Sequence, residues 1–420
     1  MRNDNLLISW FDAALAAVDP DRAVRAALGE VELAEAPVHL LAIGKAAVPM
    51  ADAAIAELGA RGSAPASVLA VAAGRDSGRG YRILTGDHPL PGSGSLAAAD
   101  GIGNFLPHVA PSDECWVLLS GGTSSLAAAP VPGVAPDALA ELFRILMESG
   151  LDIGRMNAVR KRFLRWGAGR IAQACGAQRI RVLAISDVPG DSPADIGSGP
   201  CAPDPLTAAD VWAILSAERL LHRLPHDITS WLRAALAGSV PETPKPGEPA
   251  FRQVSTAIVA RNADAVDGAL RAARDAGWSA RPGPPLAGEA CEAGMAIGRL
   301  LRERESACVV SGGECVVRTD RTGGTGGRCM ELALAAAREL AGLGGVTLLA
   351  AGTDGRDGPT DAAGAIVGGE TWKRMVDAGV DPDRALVEHD SYRALDAAGS
   401  LLRTGPTRTN VMDLVIAIRS

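Results

Sequence analysis

The sequence predicts an α/β protein of two domains, the first built on a doubly wound parallel sheet. Three observations carry this. Apolar strand-like runs alternate with alanine-rich helical runs, the βαβα rhythm of a parallel sheet. The 420 residues are long for one hydrophobic core. The run 241–249 holds four prolines in nine residues, cannot be helix or inner strand, and reads as a linker. Domains are therefore expected at residues 1–240 and 250–420.

The elements follow in order. His39–Ile43 is an apolar strand, Val48–Leu58 a helix and Val68–Ala72 a strand. Trp116–Leu119 is a strand that ends in a Gly-Gly turn. Pro136–Ser149 is helical, with proline tolerated in its first turn. Asn157–Cys175 is also helical, and Arg181–Ile185 is a strand. Past the proline run come a strand at Thr256–Ala260 and an amphipathic helix at Ala263–Ala276. Strands follow at Ala307–Val310, Val346–Ala350 and Leu414–Ile418.

Composition narrows the class. Apolar residues make up 47% of the chain and aromatics only 3%, so the cores are built from Ala, Val, Leu and Ile. A net charge of −8 without a basic run argues against a nucleic-acid partner. Seven scattered cysteines with no C-x-x-C pair fit reduced thiols in a cytoplasm better than a disulfide or zinc framework. Asn3, Asp4 and Asp12 interrupt the N-terminus, so it does not read as a signal peptide. No apolar stretch is long enough to span a bilayer. A cytoplasmic protein without a membrane partner is expected.

The most informative stretch is Val309–Leu334. It reads as a strand, a Ser311-Gly312-Gly313 turn, a second short strand with Glu314, a Gly-rich loop, Arg328 and a helix start. Glycines let backbone N–H groups approach an anion, a helix start adds positive charge, and arginine adds a forked cation. Phosphate or carboxylate fits. The turn has a counterpart in Ser120-Gly121-Gly122, again after an apolar strand; each is also readable as a plain tight turn or N-cap.

Four more loops carry polar residues where a doubly wound sheet binds ligands. Lys45 stands in Ile43-Gly44-Lys45-Ala46, one of four lysines against 37 arginines. The spacing is not that of a Walker A loop. Asp187 and Asp191, four apart in a Gly/Pro loop, suit Mg²⁺ or a general base. Asp354 lies in Gly352-Thr353-Asp354-Gly355-Arg356-Asp357, whose acidic spacing is not that of an EF-hand. Asn410 precedes the last strand. His88, between turn residues, offers a ligand contact and lacks triad or metal spacing.

These pieces in this order resemble the class II glycerate kinases, whose C-terminal half is the MOFRL domain. The matching pieces include Gly44-Lys45-Ala46, His88-Pro89, Ser120-Gly121-Gly122, Arg160-Lys161, Asp187 to Asp191, Ser311 to Glu314, Gly326-Gly327-Arg328 with Glu331, Gly352 to Gly355, and Thr409-Asn410. The resemblance implies a Rossmann-like first domain, a MOFRL-type α/β second domain and an active site in the cleft between them. It implies phosphorylation of D-glycerate by ATP at the 2-hydroxyl, with Mg²⁺, giving 2-phosphoglycerate.

Under this reading Lys45, Arg328 and Asp187 are catalytic. The two Ser-Gly-Gly segments hold phosphate, and His88, Arg160 and Asn410 touch substrate. Asp191, Glu314 and Asp354 are the expected metal ligands. A homodimer is left open. Two departures stand out: Thr123-Ser124-Ser125 where the family has Gly-Ser-Ala, and Cys329-Met330 where it has Asn-Gln. Two alternatives stay open. One is an NAD(P)H-dependent hydroxypyruvate reductase, against which the G-x-G-x-x-A run Gly92 to Ala97 follows no strand directly. The other is a non-catalytic nucleotide-binding homologue.

Overall fold

Among the described residues, twelve strands fall into two sheets. The structure, a computed structural model, describes residues 2–33, 35–74, 79–303, 307–318 and 323–420. Residues 20–259 form a first unit; residues 1–19 together with 260–420 form a second. The first sheet holds β1 (Val38–Ile43), β2 (Ser67–Ala72), β3 (Arg82–Thr85), β4 (Glu114–Leu119), β5 (Arg179–Ile185) and β6 (Val254–Ala260). Their order is β3-β2-β1-β4-β5-β6, and the neighbours from β3 to β5 run parallel. Every residue of β1 and β4 is buried, as strands with helices on both faces require. The order reverses between β1 and β4. In open α/β sheets a crevice opens there, beyond the carboxyl ends of the strands.

The second sheet comprises β7 (Ala280–Pro282), β8 (Ala307–Gly313), β9 (Val346–Gly352), β10 (Gly364–Gly368), β11 (Leu401–Leu402) and β12 (Asp413–Arg419). Its order is β11-β10-β9-β12-β8-β7. Only β7 and β8 pair in parallel; the other neighbours are antiparallel. Helix Arg328–Leu340 is almost wholly buried against this sheet, and its alanine face allows close packing.

The division into units differs from the expected 1–240 and 250–420. The first helix, Arg2–Ala17, packs in the second unit. Gly268 makes room for it, since a Cβ there would meet Ala17 Cβ at 2.7 Å. Trp10 stacks edge-on to Trp278, ring centroids 5.8 Å apart. The strand at the end of the proline run joins the first sheet as β6. The run itself is no free linker, because the polar residues between its prolines find buried partners. Thr243 Oγ1 donates to Asp204 at 2.9 Å. Glu242 pairs with the fully buried Arg162 at 2.8 Å. Burial disfavours the Glu242 anion, yet the Ala208 N–H and Arg162 hold its carboxyl down at about 2.

A second difference concerns the helix expected over Asn157–Cys175. Two helices form instead, Ile153–Phe163 and Arg170–Ala174. The chain turns at Ala168 and Gly169, both at positive φ. Arg170 then folds its guanidinium onto the carbonyls of Leu164 (2.9 Å) and Arg162 (3.1 Å), closing the end of the first helix. Strands β3, β7, β10 and β11 carried no sequence signal, being short or bounded by glycine.

The placement of the first helix is testable. Trp10 is buried, so Trp10→Ala is expected to cost about 3–5 kcal/mol in urea unfolding. Hydrogen exchange should show protection lost in helix Asn262–Asp275 ahead of β1–β5. Earlier loss in β1–β5 would assign the helix to the first unit.

Candidate active site

β1 and β4 end side by side, and their loops are laced together. Ser120 N–H donates to the Ile43 carbonyl at 3.1 Å, and Lys45 N–H to the Gly121 carbonyl at 2.8 Å. The Ser120 hydroxyl is fully buried and accepts the Ala46 N–H at 2.9 Å. Thr123 Oγ1 is set against the carbonyls of Ile43 and Ser120, at 2.9 and 2.8 Å. Gly44 lies at φ 131°, and a Cβ there would overlap Ser120. Only glycine permits that approach.

This lacing changes the expected roles. The Ser120 side chain is fully buried inside the turn, and the Gly121 carbonyl is an acceptor, so phosphate contact at this turn falls to exposed N–H groups. Gly122, at φ 85°, is the partly exposed member. A Cβ on it would lie 3.3 Å from His88 Cδ2 and 3.4 Å from Lys45 Cγ. Lys45 and His88 thus both border Gly122, at the point where the strand order reverses. Ser125 Oγ holds the His88 loop in place by donating to the Pro89 carbonyl at 2.7 Å. Thr123 and Ser125, two of the departures from the family pattern, are therefore both buried supports of this turn.

At the end of β5, the Asp187 charge acts on Arg160. Arg160 stacks on Phe143 with Cζ 4.8 Å from the ring centre, and its Nε is buried without a hydrogen-bond partner. Burial pulls the guanidinium down to about 10, and Asp187 partly opposes this. Asp191 follows in the same loop at φ 53°. Lys161 is held internally by the Ala194 carbonyl (2.8 Å) and Asp195 (3.0 Å).

The second unit carries its own charged group. Arg328 opens helix Arg328–Leu340. Its Nε donates to Asp413 Oδ2 at 2.6 Å and its Nη2 to Asp413 Oδ1 at 3.2 Å, while Nη1 pairs with Glu314. Burial alone would favour a neutral guanidine, but Asp413 and Glu314 keep Arg328 firmly protonated. Burial pushes the Asp413 carboxyl up, against Arg328 and a hydrogen bond from the Cys329 thiol; the Asp354 charge adds to the rise.

Two expected anion cradles are not formed here. Ser311, Gly312 and Gly313 are not a turn but part of β8, paired with Val415, Leu414 and Asp413 of β12. A Cβ on Gly312 would overlap Asn262. Asn262 uses that space to donate to the carbonyls of Val411 (2.7 Å) and Asp413 (3.0 Å). The helix start is also taken. The buried Asp357 carboxylate accepts the N–H groups of Cys329 (3.2 Å) and Met330 (2.7 Å), an N-cap supplied from a distant loop. The side chains of Cys329 and Met330 are buried, so this departure from the family pattern faces the core. In the Gly-rich loop, Thr319, Asp320, Arg321 and Thr322 lie outside the described residues. Its last part is anchored, Thr325 N–H donating to Asp390 at 3.1 Å.

The expected metal ligands are divided between the two units. Asp191 belongs to the first unit, Glu314 and Asp354 to the second, and Glu314 is engaged by Arg328. Among the described residues no three His, Cys, Asp or Glu side chains are grouped to hold a metal ion. Asn410 accepts the Met412 N–H at 3.3 Å and so supports the turn before β12. Asp413 and Asn262 were not singled out in the sequence, and Asp357 was noted only as part of the Asp354 loop. Asp413 had a signal: it is the lone acid opening an apolar strand.

Known proteins share this architecture. Residues 6–233 match a domain of unknown function, DUF4147, and residues 307–413 match the MOFRL family. The D-glycerate 2-kinase of Thermotoga maritima is 36% identical over 98% of this chain and 97% of its own. The chain belongs to the glycerate 2-kinase family. A crystal structure of glycerate kinase from Thermotoga maritima superposes with a TM-score of 0.82 at 34% identity, covering 99% of each chain. A relative in Agrobacterium vitis that carries the name hydroxypyruvate reductase is 38% identical over 96% of this chain and 92% of its own. Among the described residues no helix is long and apolar enough to cross a membrane.

Asp357 supplies a pH prediction. Burial, with the Asp413 charge, pushes its carboxyl up to about 7, above the unfolded value of about 3.9. The folded chain then keeps a proton that the unfolded chain has released, so stability from this group falls as pH rises from about 4 to about 7. Asp357→Asn carries no charge and should remove that fall. Its melting temperature relative to wild type is expected to rise between about pH 5 and pH 8. A constant or falling difference contradicts the raised carboxyl.

Proposed function

We propose that this chain is an ATP-dependent kinase that phosphorylates the 2-hydroxyl of D-glycerate, giving 2-phosphoglycerate. The observation that carries this reading is Lys45 beside Gly122 and His88 at the reversal of strand order, in a chain of this family. Phosphoryl transfer asks a protein mainly for positioning and charge stabilisation. Lys45 supplies a compact cation for a phosphate oxygen. Arg328 supplies planar, forked donors suited to carboxylate or phosphate. Asp187, beside Arg160, is the group assigned to take the proton of the attacking hydroxyl. Arg160 and His88 are assigned to the hydroxy acid. Mg²⁺ supplies charge neutralisation when it enters with the nucleotide phosphates, a common way for it to bind.

The reductase name borne by one relative fits less well. The helix Ser93–Phe105, which opens within the G-x-G-x-x-A run Gly92 to Ala97, already carries an anion at its start, since Asp87 accepts the Ser95 N–H at 3.1 Å. A dinucleotide pyrophosphate needs that position. We place the enzyme in the cytoplasm, where its seven free cysteines stay reduced, and its partners are the nucleotide and the hydroxy acid.

A coupled ADP-release assay over D-glycerate, L-glycerate and tartronate, with the product identified, tests the reading. Activity is expected with D-glycerate, and the product should be the 2-phosphate. Lys45→Ala and Arg328→Ala should each lower kcat/KM by about 10²–10³. Near wild-type turnover in both removes the assignment. NADH oxidation with hydroxypyruvate at a rate matching ADP release would favour the reductase.

A further inference from the structure

We propose that Asp413 is a positioning residue of the reaction, which grips one edge of the Arg328 guanidinium and so turns its remaining donors toward the anionic ligand. The inference rests on the kinase reading given above, in which Arg328 takes part. Asp413 is the first residue of β12, which lies between β8 and β9. Its neighbours in register are Gly313 and Gly352. Neither has a side chain, so the Asp413 carboxylate stands in cleared space at the end of the sheet. Asn262 fixes its backbone from below through the Asp413 carbonyl, at 3.0 Å. The carboxylate is buried, and it is mounted on a rigid element.

Arg328, in contrast, reaches out on a long side chain from a helix start. Its two bonds to Asp413, at 2.6 and 3.2 Å, are side-on and bidentate, the arrangement that fixes a guanidinium plane. Nη1 pairs with Glu314, whose side chain is 23% exposed against 4% for Asp413. A guanidinium has five N–H donors. The two Asp413 bonds and the Glu314 pair engage three of them, which leaves two for a phosphate or carboxylate. Asp413 is the buried arm of this grip and Glu314 the more accessible one.

A kinetic double-mutant cycle tests this, with melting temperatures measured alongside. Asp413→Asn keeps the shape and one acceptor but lets the guanidinium turn. It is expected to lower kcat about 100-fold and to have little further effect in the Arg328→Ala background. Equal losses in both backgrounds would show a merely structural role and overturn the proposal, as would wild-type kcat in Asp413→Asn. If Asp413→Asn does not fold, Arg328→Lys decides, because an ammonium cannot take a two-point grip. A kcat as low as that of Arg328→Ala supports the proposal, and most of the wild-type kcat overturns it. If the wild-type enzyme makes no ADP with any hydroxy acid, the kinase reading itself fails and this proposal falls with it. If Arg328→Ala alone is unaffected, only the role of Arg328 and its grip fails.

Discussion

The contact between Gly44 and the Ser120 hydroxyl fixes how close β1 and β4 come at their carboxyl ends. Ser120 can be buried because it accepts the Ala46 N–H, and Gly44 can approach because it has no Cβ. Without a partner, a buried hydroxyl would cost on the order of 1–3 kcal/mol. This one junction sets the direction in which Lys45 leaves the sheet and the position of Gly122. It also lets Thr123 tie down the Ile43 carbonyl. A doubly wound sheet provides a crevice at its switch point in any case. The Gly44–Ser120 junction is what brings a lysine to it.

The second unit solves a different problem. Arg328, Asp413, Glu314 and Asp357 form a group with three acids and one base, much of it buried. Buried charges are tolerated when they are paired and hydrogen-bonded. Asp413 meets this condition through Arg328, and Asp357 through two backbone N–H groups. Arg328 therefore does not act as an isolated positive charge. It acts as a donor held at a set angle. The same accounting explains why the helix start does not serve as an anion site: its N–H groups already have a carboxylate.

The glycines show how one residue type serves two ends. In the sequence, Gly-rich segments at 120–122, 311–313 and 323–327 look alike. In the structure, Gly122 opens beside Lys45 and His88, whereas Gly312 admits Asn262 and Gly327 admits Asp357. Absence of a side chain marks a close approach, but not what approaches.

Local pattern was enough for much of the fold. Apolar runs gave β1, β2, β4, β5, β9 and β12 to within a few residues, because burial on both faces demands continuous hydrophobic segments. Lys45, Arg328, Asp187 and His88 stood out because each is a reactive type in a loop beside a strand or helix end. The sequence by itself thus determined the fold class, the family and the loops in which chemistry is sought. Partner choice lay beyond it. That Arg328 is gripped by Asp413, 85 positions away, that Asp357 caps its helix, and that Ser311–Gly313 extends a strand depended on the order of strands in a sheet. So did the return of the first helix to the second unit, and the burial of the polar residues between the prolines. Each of these joins groups far apart in the chain, and no local spacing encodes a contact that exists only once the sheet has formed.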